Sequence, residues 1–430
     1  MKKLTICLLA AVCAGGARAL TITADHADAV YAAGETAEFT VRAGADEAGE
    51  YEWQLNNFGD KVFDRGVAKL AAGGSFTVRG AQTEPGFLRL DVRPKGKRSD
   101  VTMWGVVFDA AKIGPGAPCP ADFADFWKNA IARYGREVTE PIKVTEVDRD
   151  AHTVMYELKI PSTEGRYVWA YCSEPVDANT RKYPVTVMVP GAGPASWGCT
   201  RSRGSINLFV NVHYYDPVVL KGEKHKSEKC NAVQKEEDDA YAKRYPMKDV
   251  RYCRAGIAAS REEYFYYGII LAANRAVDWV AARPGADSRH IHYTGGSQGG
   301  GFGLILTALN KNIRSARIGV PAITDHLGDA VSGREAGWPR LVDGQLPENR
   351  EAARRNAPYF CGVNFARMID VPIGFVVGFI DTVCPPHAGY AAFNVCPSKD
   401  KAIFHAIGYG HATEGSQGAK SLAEWVNARR

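Results

Sequence analysis

The sequence lacks most of what would mark a metal, nucleic-acid or membrane protein. None of its ten cysteines forms a C-x-x-C pair and no Cys/His cluster has zinc-ligand spacing, so no metal and no cofactor are expected. No Lys/Arg-rich stripe is interleaved with aromatics, and the formal net charge is only +5 over 430 residues, which leaves nucleic-acid binding without support. No internal repeat and no long low-complexity tract is found, which sets aside repeat arrays and extended disorder. The apolar run at the start is too short to span a bilayer as a helix, so no membrane span is expected.

What that first stretch does resemble is an export signal, residues 1–19. Lys2 and Lys3 give a positive start, Leu4 to Val12 are mostly apolar, and Ala17-Arg18-Ala19 is an A-x-A cleavage site. Cys13 would be the place for a lipid, but bulky Val12 stands where a small residue is needed. A soluble exported protein, periplasmic or extracellular, is therefore expected. Setting aside Cys7 and Cys13 leaves eight cysteines, an even number compatible with disulfides in an oxidising compartment. Cys384 with Cys396 and Cys230 with Cys253 are the nearby candidate pairs; buried free thiols are the other possibility.

The length favours two domains. Residues 20–112 read as an all-β, immunoglobulin-like sandwich: short alternating runs such as Phe39-Thr40-Val41, Tyr51 to Leu55, Phe76-Thr77-Val78 and Phe87 to Leu90 are separated by Gly-rich or polar turns. Trp53 in this region is expected to fill its core. Lys112 to Pro120, rich in Gly and Pro, reads as a linker. Residues 113–430 then alternate strands and helices. Val185–Val189, Ile291–Thr294, Ser315–Val320, Pro372–Phe379 and Ala402–Ile407 read as strands. The face Tyr266, Ile269, Ala273, Val277, Val280 and the segment Gly299–Leu309 read as helices. This is the pattern of a mostly parallel sheet covered on both faces, the α/β-hydrolase class. The charged stretch from Tyr215 to Glu263 interrupts the rhythm and reads as a surface insertion near the site.

Gly295-Gly296-Ser297-Gln298-Gly299 is a G-x-S-x-G sequence with a strand before it and a helix after it, the context of a nucleophile elbow. Glycines let the chain turn sharply without a Cβ clash and leave the serine exposed in a strained conformation. A hydroxyl needs a base and a group to orient that base. In this fold the order is Ser, acid, His. Asp381 lies just beyond the end of the Pro372–Phe379 strand and is the expected acid, with Asp325 second. His411, in a glycine-flanked loop past the last strand, is the expected base, with His387 second; His405 sits inside a strand. The oxyanion donors are expected to be the Gln298 N–H and the Ala192 N–H of the turn Pro190-Gly191-Ala192-Gly193, with Gly193 the alternative. Trp197, a few residues on, is a candidate sugar-stacking residue, and a packed core Trp is as good a reading of it. Since all these residues lie after position 180, the β-domain is expected to be dispensable for chemistry.

Together these motifs resemble the acetylxylan esterase/cephalosporin-C deacetylase family, also called carbohydrate esterase family seven. The resemblance covers roughly residues 115–430 and rests on five stretches: Cys119 to Trp127, Ala273 to Trp279, Gly295 to Gly301, Asp381 to Pro386, and Gly410-His411. It implies the triad Ser297, Asp381 and His411, no metal, and removal of O-acetyl groups from acetylated xylan, xylo-oligosaccharides or related oligo- and polysaccharides. Two departures stand out. Pro190-Gly191-Ala192 replaces the family's His-Gly-Tyr, and Asn211 to Asp216 replaces an Asp-x-Arg-Gly segment, so the acyl pocket and sugar site are expected to differ. The rival readings are a prolyl-oligopeptidase-like peptidase, which would need an amine- or proline-binding site, and a non-catalytic carbohydrate-binding protein, against which the ordered Ser, Asp and His argue. Oligomeric state is left open by the sequence.

Overall fold

The structure, a computed structural model, describes residues 20–194, 199–224, 226–331 and 333–429. The expected export signal and Trp197 lie outside the described residues.

The first eight strands are β1 (Leu20–Ala24), β2 (Val30–Tyr31), β3 (Thr36–Ala43), β4 (Gly49–Asn56), β5 (Val62–Leu70), β6 (Ser75–Ala81), β7 (Gly86–Pro94) and β8 (Thr102–Phe108). They form a three-stranded sheet, β1-β3-β6, and a five-stranded sheet, β2-β8-β7-β4-β5. Alternation places Ala37, Phe39, Val41 and Ala43 of β3 inward, where they share one core with Leu55, Leu88, Leu90 and Val106 of the second sheet. Trp53 is only partly buried, at the margin of that core beside Gly66. β7 and β8 break the alternation: Phe87 and Leu88 are both buried, as are Gly105 through Phe108. Consecutive burial means that both faces of the sheet are covered at this end. The outer cover is the rest of the chain, for the same core takes in Val377, Phe379 and Tyr390.

The remainder comprises α1 (Phe123–Glu137), β9 (Lys143–Arg149), β10 (Thr153–Pro161), β11 (Tyr167–Pro175), β12 (Tyr183–Met188), β13 (Ile206–Val210), α2 (Glu228–Arg244), α3 (Phe265–Ala281), β14 (Ala286–Gly296), α4 (Gln298–Leu309), β15 (Ser315–Gly319), α5 (Arg350–Asn356), α6 (Gly362–Ala366), β16 (Ile373–Gly378), α7 (Pro386–Val395), β17 (Lys401–Ala406) and α8 (Gln417–Asn427). Nine strands make one sheet in the order β17-β16-β15-β14-β12-β13-β11-β10-β9. From β13 to β17 along that order the strands are parallel, and β11, β10 and β9 extend the sheet antiparallel. Every residue of β16 is buried, as expected for a strand covered on both faces. α3 is buried nearly all round, and α4 is buried over all but its last residue.

Several elements differ from the sequence expectation. β9 is exposed at every position, so no apolar pattern marks it. α2 lies in the charged insertion and has a single fully buried residue, Cys230. α7 starts at Pro386, where proline's fixed φ and missing N–H suit a first helical turn. Neither candidate disulfide is formed: all eight described cysteines are free thiols, the other possibility the sequence left open, and Cys396 donates to the Ile369 carbonyl (3.5 Å) while Cys230 donates to that of Lys224 (3.4 Å). No helix among the described residues is long and apolar enough to cross a membrane.

Candidate active site

The parallel strands end along one edge, and the chain places its chemistry there. Ser297 joins β14 directly to α4 with φ 56° and ψ −123°, a backbone conformation rarely adopted by a residue with a Cβ. The turn is tied down by main-chain bonds: Ser297 N–H donates to Gly319 O (2.9 Å), and Ser297 O accepts from the N–H groups of Gly301 and Ala322 (both 3.0 Å). Gly299 shows why the glycine run is needed. A Cβ there would stand 2.1 Å from Val189 O, so only a glycine lets α4 approach the end of β12 and the turn that follows it.

Asp381 sits past the end of β16, fully buried, and His411 on the loop after β17, about a third exposed. The two loops touch: Ile380 N–H donates to Tyr409 O (3.1 Å), and a Cβ on Gly378 would stand 2.1 Å from Gly410 O. Asp381 Oδ1 accepts from Val383 N–H (2.8 Å) and Cys384 N–H (2.9 Å), which leaves Oδ2 to accept from His411 Nδ1 at 2.8 Å. With that proton fixed on Nδ1, His411 Nε2 accepts from Ser297 Oγ at 2.9 Å. The arrangement can deprotonate the serine hydroxyl, hold the imidazolium that results, and return the proton to a leaving group.

The other carboxylate and histidines weighed from the sequence are engaged elsewhere. Asp325 is buried in an ion pair with Arg334 (2.7 Å) and accepts from Gly116 N–H (2.7 Å). His387 donates from Nε2 to Glu335 O (2.7 Å); burial, then the nearby Arg334 charge, push its pKa down to about 3. His405 pairs with Tyr390 Oη (2.6 Å).

The turn after β12 holds Ala192, half-buried, opposite the start of α4. Its neighbour Gly193 donates its N–H to Tyr252 Oη (3.2 Å), so the alternative oxyanion donor is already committed. Gln298 N–H opens α4, where a helix has no internal acceptor for it. The Gln298 side chain is fully buried and tightly held. Its Oε1 accepts from Tyr266 Oη (2.5 Å) and Tyr252 Oη (3.3 Å), and its Nε2 donates to Gly191 O (3.2 Å). One side chain thus ties the turn after β12 to α3 and to Tyr252. Tyr252 is gripped in turn by the insertion, since Asp238 of α2 accepts its N–H (2.6 Å).

Sequence reasoning missed Tyr252 and Tyr266. Tyr266 sits on the helix face read as core, and Tyr252 lies inside a charged segment with no motif. It also gave Cys384 no part in the site. The Cys384 thiol lies against Ser297 and Asp381; burial, then the Asp381 charge, push its pKa well up, so it stands by as a neutral thiol and not as a competing nucleophile. Cys384 Sγ, an Asp381 oxygen and a His411 ring nitrogen lie within 4.8 Å of one another. A cation there would have to displace the hydrogen bond that already links Asp381 to His411.

A mostly parallel nine-stranded sheet, helices on both faces, and a serine at a strained strand–helix turn facing a His–Asp pair define an α/β-hydrolase. Within that class the chain belongs to the acetyl xylan esterase (AXE1) family, whose model matches residues 111–428, and it is accordingly a carboxylic ester hydrolase. It is 26% identical over 398 residues to an acetyl esterase, Axe7A, of Xylanibacter ruminicola, covering 89% of this chain and 84% of that protein. That share of the chain exceeds what residues 111–428 alone supply, so the likeness reaches into the β-sandwich. Two solved structures share the fold. The acetyl xylan esterase from Paenibacillus sp. R4 has a TM-score of 0.57 at 23% identity, over 74% of this chain and 98% of its own. Acetyl xylan esterase 1 from Thermoanaerobacterium sp. JW/SL YS485 has a TM-score of 0.55 at 20% identity, over 73% and 95%.

Proposed function

We propose that this chain is an exported carbohydrate esterase that removes O-acetyl groups from acetylated xylan, xylo-oligosaccharides or related sugars through an acetyl-serine intermediate. The observation that carries this reading is the hydrogen-bond line from Asp381 through His411 to Ser297 at a strained elbow. His411 takes the Ser297 proton as Oγ attacks the acetyl carbonyl. The oxyanion that forms is held by the Gln298 and Ala192 N–H groups, with Gln298's side chain fixing the turn that carries Ala192. The C–O bond to the sugar breaks, and His411 gives its proton to the leaving sugar oxygen. Water, deprotonated by His411, then attacks the acetyl-serine; acetate leaves and Ser297 recovers its proton. Asp381 holds the ring in the required tautomer and stabilises its cationic form.

Family membership and the likeness to Axe7A support an acetylated substrate. The short, small-residue oxyanion turn and Trp197 beyond it favour a site open to oligosaccharides. The test is acetate release from an aryl acetate, acetylated xylan, xylo-oligosaccharides, pectin and chitin, by the wild type and by Ser297→Ala. Mass spectrometry of the quenched reaction should find acetyl on the Ser297 peptide. Failure on every acetylated carbohydrate with good aryl acetate turnover would refute the substrate assignment and leave the mechanism standing. Trp197→Ala should raise KM for oligosaccharides and spare aryl acetate turnover. Amino-terminal sequencing of the protein recovered outside the cytoplasm should begin at Leu20.

A further inference from the structure

The β-sandwich touches the chain beside the acid and beside the base. Gly105 of β8 lies so close to the end of β16 that a Cβ on it would stand 2.0 Å from Phe379 O, two residues before Asp381. Trp104, its neighbour, packs its indole on Gly408, three residues before His411; a Cβ on that glycine would stand 3.0 Å from the ring. Register places Phe87 opposite Val107 and Arg89 opposite Gly105, so these four share the face turned to the second body. On that face Phe87 meets Phe379 edge-on (centroids 5.2 Å apart) and Tyr390 at a tilt (5.7 Å).

A second line of support runs through polar groups. Phe58 O accepts from Glu335 N–H (3.1 Å), and Gly333 O accepts from Asp60 N–H (3.0 Å). The Glu335 carboxylate accepts from Arg340 Nε (2.8 Å), and Arg340 Nη2 donates to Thr382 O (2.9 Å), the residue after Asp381. Glu335 O also accepts from His387, whose ring stands edge-on to Phe58 at 6.5 Å. Asp381 is therefore flanked on its amino side by Phe379 against Gly105, and on its carboxyl side by Thr382 held through Arg340 and Glu335 to Phe58. None of these contacts reaches Ser297 or Gln298, whose described partners all lie after residue 188.

We propose that the β-sandwich is a buttress that sets the Asp381–His411 geometry, with Gly105 and Trp104 as positioning residues for the acid and base loops. This rests on the triad reading above and reverses the sequence expectation that the β-domain is dispensable for chemistry. A hydrogen-bonded pair tolerates little displacement, and misplacing reacting groups by about 1 Å costs on the order of 100-fold in rate. A prop on two loops that carry one hydrogen bond between them acts on that bond first.

The experiment uses the full chain and an aryl acetate. Wild-type turnover and its loss in Ser297→Ala establish the triad reading independently of the buttress. Gly105→Ala, which wedges a methyl against Phe379 O, and Trp104→Ala, which empties the contact with Gly408, should each lower kcat by roughly 10- to 100-fold with KM unchanged. The acid limb of the kcat/KM profile should move to lower pH in both, because a loosened carboxylate stabilises the imidazolium less. The far-downfield proton resonance of the His411 Nδ1–H···Asp381 bond should weaken or shift. Trp104→Phe should restore part of the activity. Val41→Ala, in the sandwich core away from this face, serves as the control: it should lower the melting temperature and leave kcat, the acid limb and the resonance as they are. Unchanged kcat in a folded Gly105→Ala or Trp104→Ala would overturn the proposal. So would losses that Val41→Ala reproduces with no movement of the acid limb or the resonance, for the sandwich would then contribute stability alone.

Discussion

Two halves of the candidate site are built on different principles. Ser297 and Gln298 are held by what is near them: the strained elbow, Gly319 and Ala322 main-chain groups, and a clamp of tyrosine hydroxyls on the Gln298 amide. Asp381 and His411 sit on loops whose outer support comes from residues 58, 104 and 105, at the far end of the sequence. The first half is a glycine-permitted turn held by partners that all lie within the α/β layer. The second is a tertiary contact that exists only when two separately built layers dock. The contrast teaches that one active site can be robust on one side and dependent on a neighbouring fold on the other.

The largest test removes the distinction altogether. Ser297→Ala should cost about 10⁶-fold in kcat, and adding His411→Ala should cost little more, because the groups act as a unit. Steady-state kinetics of the single and double variants check this; strong additivity would show that the two halves work separately. Next, Asp381→Asn should lose about 10⁴-fold, since an amide supports the wrong imidazole tautomer. Retained activity would pass the acid's role to another group.

A third variant sharpens the comparison from the nucleophile side. Gly299→Val drives a side chain into Val189 O and should lower kcat by roughly 100-fold by misplacing Ser297 and the oxyanion turn. Unlike Gly105→Ala, it should leave the acid limb of the pH profile in place. A shifted limb would mean that the two halves are mechanically coupled. Smaller still, Tyr266→Phe removes one of the hydrogen bonds on Gln298. The expected loss is about 1 kcal/mol, or roughly fivefold in kcat/KM.

The mildest test reads stability against pH. His387 stands at the junction and its pKa falls from the ordinary 6.5 to about 3 on burial. The folded state thus binds fewer protons than the unfolded state below pH 6.5. The stability that a neutral His387 confers is complete above 6.5 and is lost progressively as pH falls towards 3. His387→Leu should flatten melting temperature against pH across that window. An unchanged slope would move the acid sensitivity to another group.

Much of the nucleophile half could be read from sequence because its signals are adjacent: strand, G-x-S-x-G, helix. Asp381 and His411 were legible from the order of elements, since Asp381 follows the fully buried strand β16, His411 follows the parallel edge strand β17, and catalytic groups collect at that edge. Their support was not, because Gly105 and Gly408 look like ordinary turn or strand glycines until the contacting layer is known. Tyr252 was hidden for a similar reason: its role depends on α2, a polar helix fixed by side-chain hydrogen bonds and not by an apolar stripe. β9 carries no signal because an exposed edge strand buries nothing. Spacing could not decide between disulfides and free thiols because it says nothing about where thiols point; Cys384 faces Ser297 and Asp381, while Cys396 points to Ile369.

Chain order gives the docking face of β7 and β8 a meaning in time. Synthesis delivers the amino end first, and domains generally fold as units in that order. Phe87 and Gly105 are therefore in place in the chain before Phe379 and Gly408 have been translated. On the proposed reading, Ser297 precedes Asp381 and His411 in the chain, so the triad is complete only once the loops after β16 and β17 have formed. If the buttress sets the Asp381–His411 pair, ester hydrolysis during refolding should first appear when the two layers join, whatever the order in which each layer forms.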